Sequence, residues 1–345
     1  MLKQKYFLTD FFILSAEKQP IKLSWRNIEW LRLRYLKRMF HSHSFFGWKG
    51  YFHLVDLQCK IQNATGTELW NLYEEQHKIM YDYIDRNLKQ HRMMDYTGCR
   101  AVKNDIDDQN IWVCWLQGES AMPKVVRICY NNLKKNANGH KVILITWNNL
   151  NDYLSVSPTI MNKVGKGLSL IAYSDFIRLN LLSIYGGLWV DATFLITAPL
   201  DESIFESRFF SIKNNVHSNA LVCKYRWAVN FVYASKNSDI MKHIRNLFCA
   251  FWEQNKRSIN YLLIDYCFEY EAINNRIFTQ LLEDMPFTNE HSHDIRIHFN
   301  DAFDPQKWSE WLSNTNLFKL TYKGKLKSKT SDGQITNYGY LLHNF

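Results

Sequence analysis

Asp175 and Arg178 stand three residues apart in the run SDFIRLNLLSIYGGLWVDAT, residues 174–193. Asp191 closes the apolar stretch Leu188, Trp189, Val190 that follows Gly186 and Gly187. Positions three apart on a helix share a face, so an acid and a base meet there. A carboxylate at the end of a buried strand costs free energy unless it has a partner or a task. Together the three side chains have the chemistry to hold a divalent cation, ribose hydroxyls and a diphosphate.

Those residues need a helix, a sharp exit and a strand to hold them. Phe176, Ile177, Leu181 and Ile184 supply an apolar face for a helix over 174–185, with Ser174 as its candidate N-cap. Gly186-Gly187 permit the left-handed exit that a helix needs before an immediate strand. Upstream, IWVCWL (111–116) and KVILITW (141–147) read as strands, and VVRICYNNLKKN (125–136) between them has helical periodicity. A strand, a helix and a strand in so short a span predict a βαβ unit and a parallel sheet. In open sheets of that kind ligands bind beyond the carboxyl ends of the strands, which is where Asp191 falls.

The remainder frames this unit. Residues 22–40 mix aromatic and aliphatic residues with six Lys/Arg and one Glu. They read either as a helix lying on an anionic membrane or as an amphipathic helix packed on the body. Residues 41–52 carry turn residues and read as a loop. Residues 67–90 read as a helix with Thr67 as its candidate cap. Residues 197–205 have turn chemistry, 209–214 and 220–235 read as further strands, and the segments from 239 to 255 and from 258 to 282 read as two long amphipathic helices. There is no internal repeat.

The chain has 345 residues and net charge +9, but the charge is uneven: residues 1–100 hold 16 Lys+Arg against 10 Asp+Glu, and residues 319–345 hold five Lys against one Asp. Basic ends on a near-neutral body suit an anionic membrane or a phosphate-bearing ligand. They argue against a nucleic-acid reader, which needs a basic stripe on the folded body. Hydrophobic residues make up 46%, enough for a large core. Seven cysteines with no C-x-x-C pair form neither a disulfide framework nor a zinc knuckle and fit a reducing cytoplasm. No signal peptide and no transmembrane helix are expected.

The run S-D-F-I-R-x(7)-G-G-L-W-V-D-A-T resembles the signature of glycosyltransferase family 32, its capsular polysaccharide synthesis branch above all, and more distantly the catalytic domains of clostridial glucosylating toxins. IWVCWLQGE (111–119) and FKLTYKGK (318–325) agree in order and spacing, so the resemblance runs from about residue 105 to about 325. It implies a GT-A fold: an α/β domain over 105–345 with a mixed, mostly parallel sheet flanked by helices, behind a basic, mostly helical extension over 1–104. It also implies sugar transfer from a nucleotide-sugar, UDP-linked by preference, with retention at the anomeric carbon.

Residue by residue, the resemblance gives Asp175 the donor-sugar hydroxyls and Arg178 the sugar and diphosphate. Asp191 becomes the first acid of a D-x-D motif serving ribose and metal, with Mn²⁺ or Mg²⁺ as the cofactor. Trp115 stacks on the base, and Lys319 and Lys323 close over the phosphates. Thr193 stands where the second D-x-D acid would be, so the expected metal ligands are Asp191 and Thr193. Phe318 stands where a His is expected. The acceptor implied is a lipid-linked oligosaccharide at the inner membrane face, the enzyme being cytoplasmic or peripheral there. With no evident carboxylate nucleophile, front-face displacement is the default, and no nucleophile is assigned.

Each of these residues also has a plainer reading. Asp175 and Arg178 form an ordinary helix pair, Asp191 a turn, Trp115 a core residue, Lys319 and Lys323 solvated charge. Asp265 either faces an acceptor or is a paired core acid. His291, His293 and His298 lie close in sequence but lack a Cys or Glu to complete a metal set. Cys114 reads as a small buried hydrophobe. The competing functions are a degenerate nucleotide- or glycan-binding relative, a transferase acting on a protein acceptor, and a membrane-surface scaffold.

Overall fold

The computed structural model describes residues 43–216 and 218–345; the basic amphipathic stretch over 22–40 lies outside the described residues. The chain enters with helices α1 (His43–Ile61) and α2 (Gly66–Asn87). Residues 43–52 are thus helical and not a loop. The turn signal survives only as a break at Gly47, at φ 67° and ψ 175°. Tertiary packing overrides it: the rings of Phe45 and Phe46 lie 6.0 and 5.7 Å from that of Tyr83 on α2. Thr67 is inside α2; the residue at its N-cap is Thr65, which makes no side-chain capping bond.

Strands β1 (Cys99–Ala101) and β2 (Ile111–Cys114) follow, then α3 (Lys124–Lys135), β3 (Val142–Ile145), β4 (Leu154–Val156) and the short α4 (Pro158–Met161). Next come α5 (Leu170–Tyr185), β5 (Gly187–Val190), β6 (Phe194–Ile196), α6 (Ser203–Glu206), β7 (Phe209–Ser211) and β8 (Phe231–Ala234). The chain ends with α7 (Asp239–Gln254), α8 (Leu263–Asn274), α9 (Arg276–Asp284), α10 (Asp294–Ile297), α11 (Pro305–Ser313), β9 (Leu317–Lys319) and α12 (Asn337–Asn344).

The central sheet has the order β3-β2-β5-β8-β7. Strand β2 is parallel to β3 and β5, while β8 runs antiparallel to β5 and β7. Four of the five strands therefore point one way, as the βαβ reading predicts. Two antiparallel ribbons, β1-β4 and β6-β9, complete the strands. Alternation sorts side chains to two faces. Trp112, Trp189, Val232 and Ala234 pack with α5, α7, α8 and with Met80, Tyr83 and Ile84 of α2. Ile111, Val113, Leu188, Val190, Phe231 and Tyr233 pack with Val126, Tyr130 and Leu133 of α3. The other side of α3 meets the β6-β9 ribbon through Val125, Cys129, Leu195 and Phe318. A mixed sheet between helical layers, led by β2-α3-β3, is consistent with a GT-A-like fold.

Three further expectations are corrected. Helix α5 starts at Leu170 and not near Ser174, because Ser169 caps it: the Ser169 hydroxyl accepts from the Ala172 amide. Only 231–234 of the segment 220–235 is strand; Lys224 and Tyr225 take left-handed backbone conformations. The last long helix is two, since Asn275 leaves helical geometry and its side chain accepts from the amides of Ile277 and Phe278 to cap α9. All seven cysteines are free. No helix among the described residues is long and apolar enough to cross a membrane.

Candidate active site

The site forms at the carboxyl ends of β5 and β2. Gly186 and Gly187 carry the chain from α5 into β5 at φ 72° and 95°. A Cβ at Gly186 would lie 2.7 Å from the Lys236 nitrogen and 2.9 Å from the Ala234 oxygen, so the exit needs glycine for space as well as for backbone angle. The Gly186 carbonyl accepts from the Trp112 indole at 2.8 Å, which locks the exit to the neighbouring strand. The geometry delivers α5 antiparallel to the strand that follows, with Asp175 and Arg178 brought level with Asp191.

The contacts are short. Arg178 Nη2 donates to Asp191 Oδ1 at 3.0 Å and lies 3.3 Å from Asp175 Oδ1. Trp189 Nε1 donates to the same Asp191 oxygen at 2.9 Å, and the Arg178 guanidinium lies 4.9 Å from the Trp189 ring centre. Lys319 Nζ donates to Asp191 Oδ2 at 2.6 Å. Lys319 ends β9 and pairs in register with Phe194 of β6, whose ring its ammonium overlies at 5.3 Å. The ribbon thus carries a lysine 128 residues away in sequence onto the strand-end aspartate.

Asp191 is closely enclosed, yet 26% of its side chain stays open to solvent. Burial pushes its carboxyl up, but the charges of Lys319 and Arg178 and the bonds from Lys319 and Trp189 outweigh that and hold it below the usual range. Asp175 receives less help. Burial raises it to about 6, Arg178 opposes, and Asp191 pushes it further up. Burial lowers Lys319, while Asp191 supports its charge and Arg178 and Arg296 oppose it.

Not every expected residue joins this network. The Trp115 ring meets the edge of Tyr322 at 5.4 Å, and Lys323 sits 5.4 Å over the same tyrosine. Tyr322 therefore links these two at the mouth of β2. Trp115 Nε1 is buried with no hydrogen-bond partner, as are Nε and Nη1 of Arg178. Cys114, at the end of β2, is a half-buried thiol raised to about 12 by desolvation, against a bond with Ser174, which fits the small-hydrophobe reading.

Phe318 stands opposite Leu195 in the ribbon and is fully buried. Alternation along β9 turns position 318 into the core and position 319 toward Asp191, so a side chain at 318 points away from the carboxylates. The histidines also separate. His291 bonds Asp294 at 2.7 Å, His298 bonds Asp301 at 2.6 Å, and His293 is half-buried and held down to about 3 by desolvation, Arg296 and Lys319. Among the described residues no group of three or more His, Cys, Asp or Glu is placed to hold a metal.

The donor set does not suit a divalent cation. Hard cations take about six oxygen ligands. Here the single carboxylate at the strand end already receives three donors on its two oxygens, and Thr193 adds no charge. An added cation would meet Arg178 and Lys319 at contact range.

Trp189 and Tyr261, which the sequence did not single out, also belong here, and Asp265 joins them. Trp189 was legible, since period-two alternation puts it on the same side of the strand as Asp191. Asp265 on α8 accepts from the Trp227 indole at 3.0 Å; burial raises it to about 7, the Trp227 bond opposes, and Asp175 adds to the rise. Burial and the nearby Asp175 and Asp191 also raise the Tyr261 phenol. Neither of these two couplings has a local signal in the chain.

Comparison with known proteins supplies the family. Among curated proteins none matches. Residues 62–339, most of the chain and including all of the site and all of α2, match the family model described as capsular polysaccharide synthesis protein, and the chain belongs to that family.

Proposed function

We propose that the protein is a glycosyltransferase that moves a sugar, with retention, from a nucleotide-sugar to a lipid-linked glycan acceptor in capsular polysaccharide synthesis. UDP-linked sugars are the first donors to test. The observation that carries the reading is the cluster at the end of β5: Asp191 held between Arg178 and Lys319, with two further Arg178 donors buried and without partners.

A departing nucleoside diphosphate builds negative charge, and preorganised cations in a water-poor cleft stabilise it more than water would. Arg178 Nε and Nη1 have donors left for phosphate oxygens. Asp191 keeps Arg178 and Lys319 aimed and supports the charge of Lys319. Asp175, with its carboxyl raised to about 6, is largely ionised at neutral pH and accepts hydroxyls of the donor sugar. Trp115 gives the base a face, and its indole N–H is available to the nucleotide. Front-face displacement needs no enzymic nucleophile, and none is assigned.

The exposed Trp48 and Phe52 on α1, packed with the half-buried Tyr51, support a cytoplasmic enzyme resting on a membrane surface, where a lipid-linked acceptor lies. Labelled donor sugar incubated with acceptor membranes is expected in the lipid-extractable fraction with wild type and not with Asp191→Asn. Label in precipitated protein instead would move the acceptor to the protein class, and no transfer to either fraction would refute the proposal.

A further inference from the structure

The structure assigns Lys319 the place at Asp191 that a divalent cation would otherwise take, so that donor turnover requires no added metal. The inference rests on the transferase reading above. Its basis is how the ammonium is held. Lys319 Nζ is 2.6 Å from Asp191 Oδ2, and the other carboxylate oxygen is shared by Arg178 and Trp189. No second acid stands at the strand end, because position 193 is Thr. The other carboxylates of the neighbourhood are engaged: Asp175 with Arg178, and Asp265 with Trp227.

Lys319 is not a surface lysine that happens to fold inward. Its amide donates to the Ser292 carbonyl at 2.7 Å, its strand pairs with β6, and its side chain is 17% exposed over the Phe194 ring. The ammonium is fixed by backbone pairing before any substrate arrives, which is the preorganisation that makes such a charge effective. Of its three N–H donors one is on Asp191, which leaves donors for a phosphate.

The transfer then closes with the chain's own groups. The bond from the anomeric carbon to the β-phosphate oxygen breaks with its electron pair going to the diphosphate. The acceptor hydroxyl oxygen bonds to that carbon, and its proton passes to the departing diphosphate. Lys319 and Arg178 meet the charge that develops there.

The test measures nucleoside diphosphate release from UDP- and GDP-sugars by the full chain, stripped of metal, in excess EDTA and in Mn²⁺, for wild type, Lys319→Met and Lys319→Arg. Wild type is expected to turn over in EDTA within about twofold of its rate in Mn²⁺. Lys319→Met should lose on the order of 10²–10³ in EDTA, Lys319→Arg should keep more of the rate than Met, and Mn²⁺ should restore part of the Met variant's activity by occupying the freed Asp191 oxygen. Manganese titration of wild type, read by paramagnetic resonance, should show no site filled at stoichiometric metal, which holds whether or not the variants fold. Wild-type release only with Mn²⁺, or stoichiometric Mn²⁺ binding, overturns the inference and leaves the transferase reading standing. No release from any donor in either condition overturns that reading and this inference with it.

Discussion

Asp265→Asn is expected to stabilise the protein above neutral pH while changing little below pH 4. Asp265 is 7% exposed on α8, and its side chain accepts from the Trp227 indole at 3.0 Å. Burial lifts its carboxyl from 3.8 to about 7, with the Trp227 bond opposing and the Asp175 charge adding to the rise. Below about pH 4 the group is protonated in both folded and unfolded chains. Between about 4 and 7 the unfolded chain releases the proton while the folded chain keeps it. The native state then binds more protons, so stability falls as pH rises. Every pH interval of one across that window costs about 1.4 kcal/mol, so a window about three wide costs ~4 kcal/mol by pH 8. Asn keeps an oxygen for Trp227 and removes the charge. Urea unfolding at pH 4.5 and pH 8 should show a large gain for the variant at pH 8 and a small difference at pH 4.5. An Asn variant that is less stable than wild type at pH 8 would refute the reasoning, since the carboxylate would then be ionised and paired, with Arg178 as the candidate partner.

Arg178→Met removes the one guanidinium that touches both Asp175 and Asp191. Breaking a buried pair on one side costs about 3–5 kcal/mol. The loss should appear in denaturant unfolding at pH 8 and shrink below pH 6 as Asp175 takes up a proton; an equal loss at both values would contradict it. Trp115→Ala should raise KM for the nucleotide-sugar about tenfold or more with kcat little changed, because base–aromatic stacking is worth about 1–3 kcal/mol. A fall in kcat at unchanged KM, measured by steady-state kinetics, would place Trp115 elsewhere.

The helix-to-strand unit was legible because its signals are local. The i,i+3 spacing of Asp175 and Arg178, the glycine pair and the apolar run before Asp191 each act within a few residues, and the structure places them as that pattern predicts. The same holds for β2-α3-β3. What the sequence hid depends on distant partners. Lys319 read either as a residue over the phosphates or as solvated tail charge, and its contact with Asp191 comes only from the β6-β9 ribbon. Val222, Tyr225 and Trp227 look like strand residues, yet they are buried from an irregular loop, and that loop is what lets Trp227 reach Asp265. Gly47 read as a turn because aromatic packing against Tyr83 has no local mark. Of the expected metal pair, Asp191 is one carboxylate with two cations already against it, which is the ground for the proposal that Lys319 takes the cation's place.

The central claim is that Asp191 organises the cations that let a nucleotide-sugar lose its diphosphate. The most direct measurement is the initial rate of diphosphate release from the preferred donor, with acceptor lipid present, for wild type against Asp191→Asn. The account predicts a loss on the order of 10²–10³ in the variant with its fold retained. Equal rates from the two proteins would contradict it.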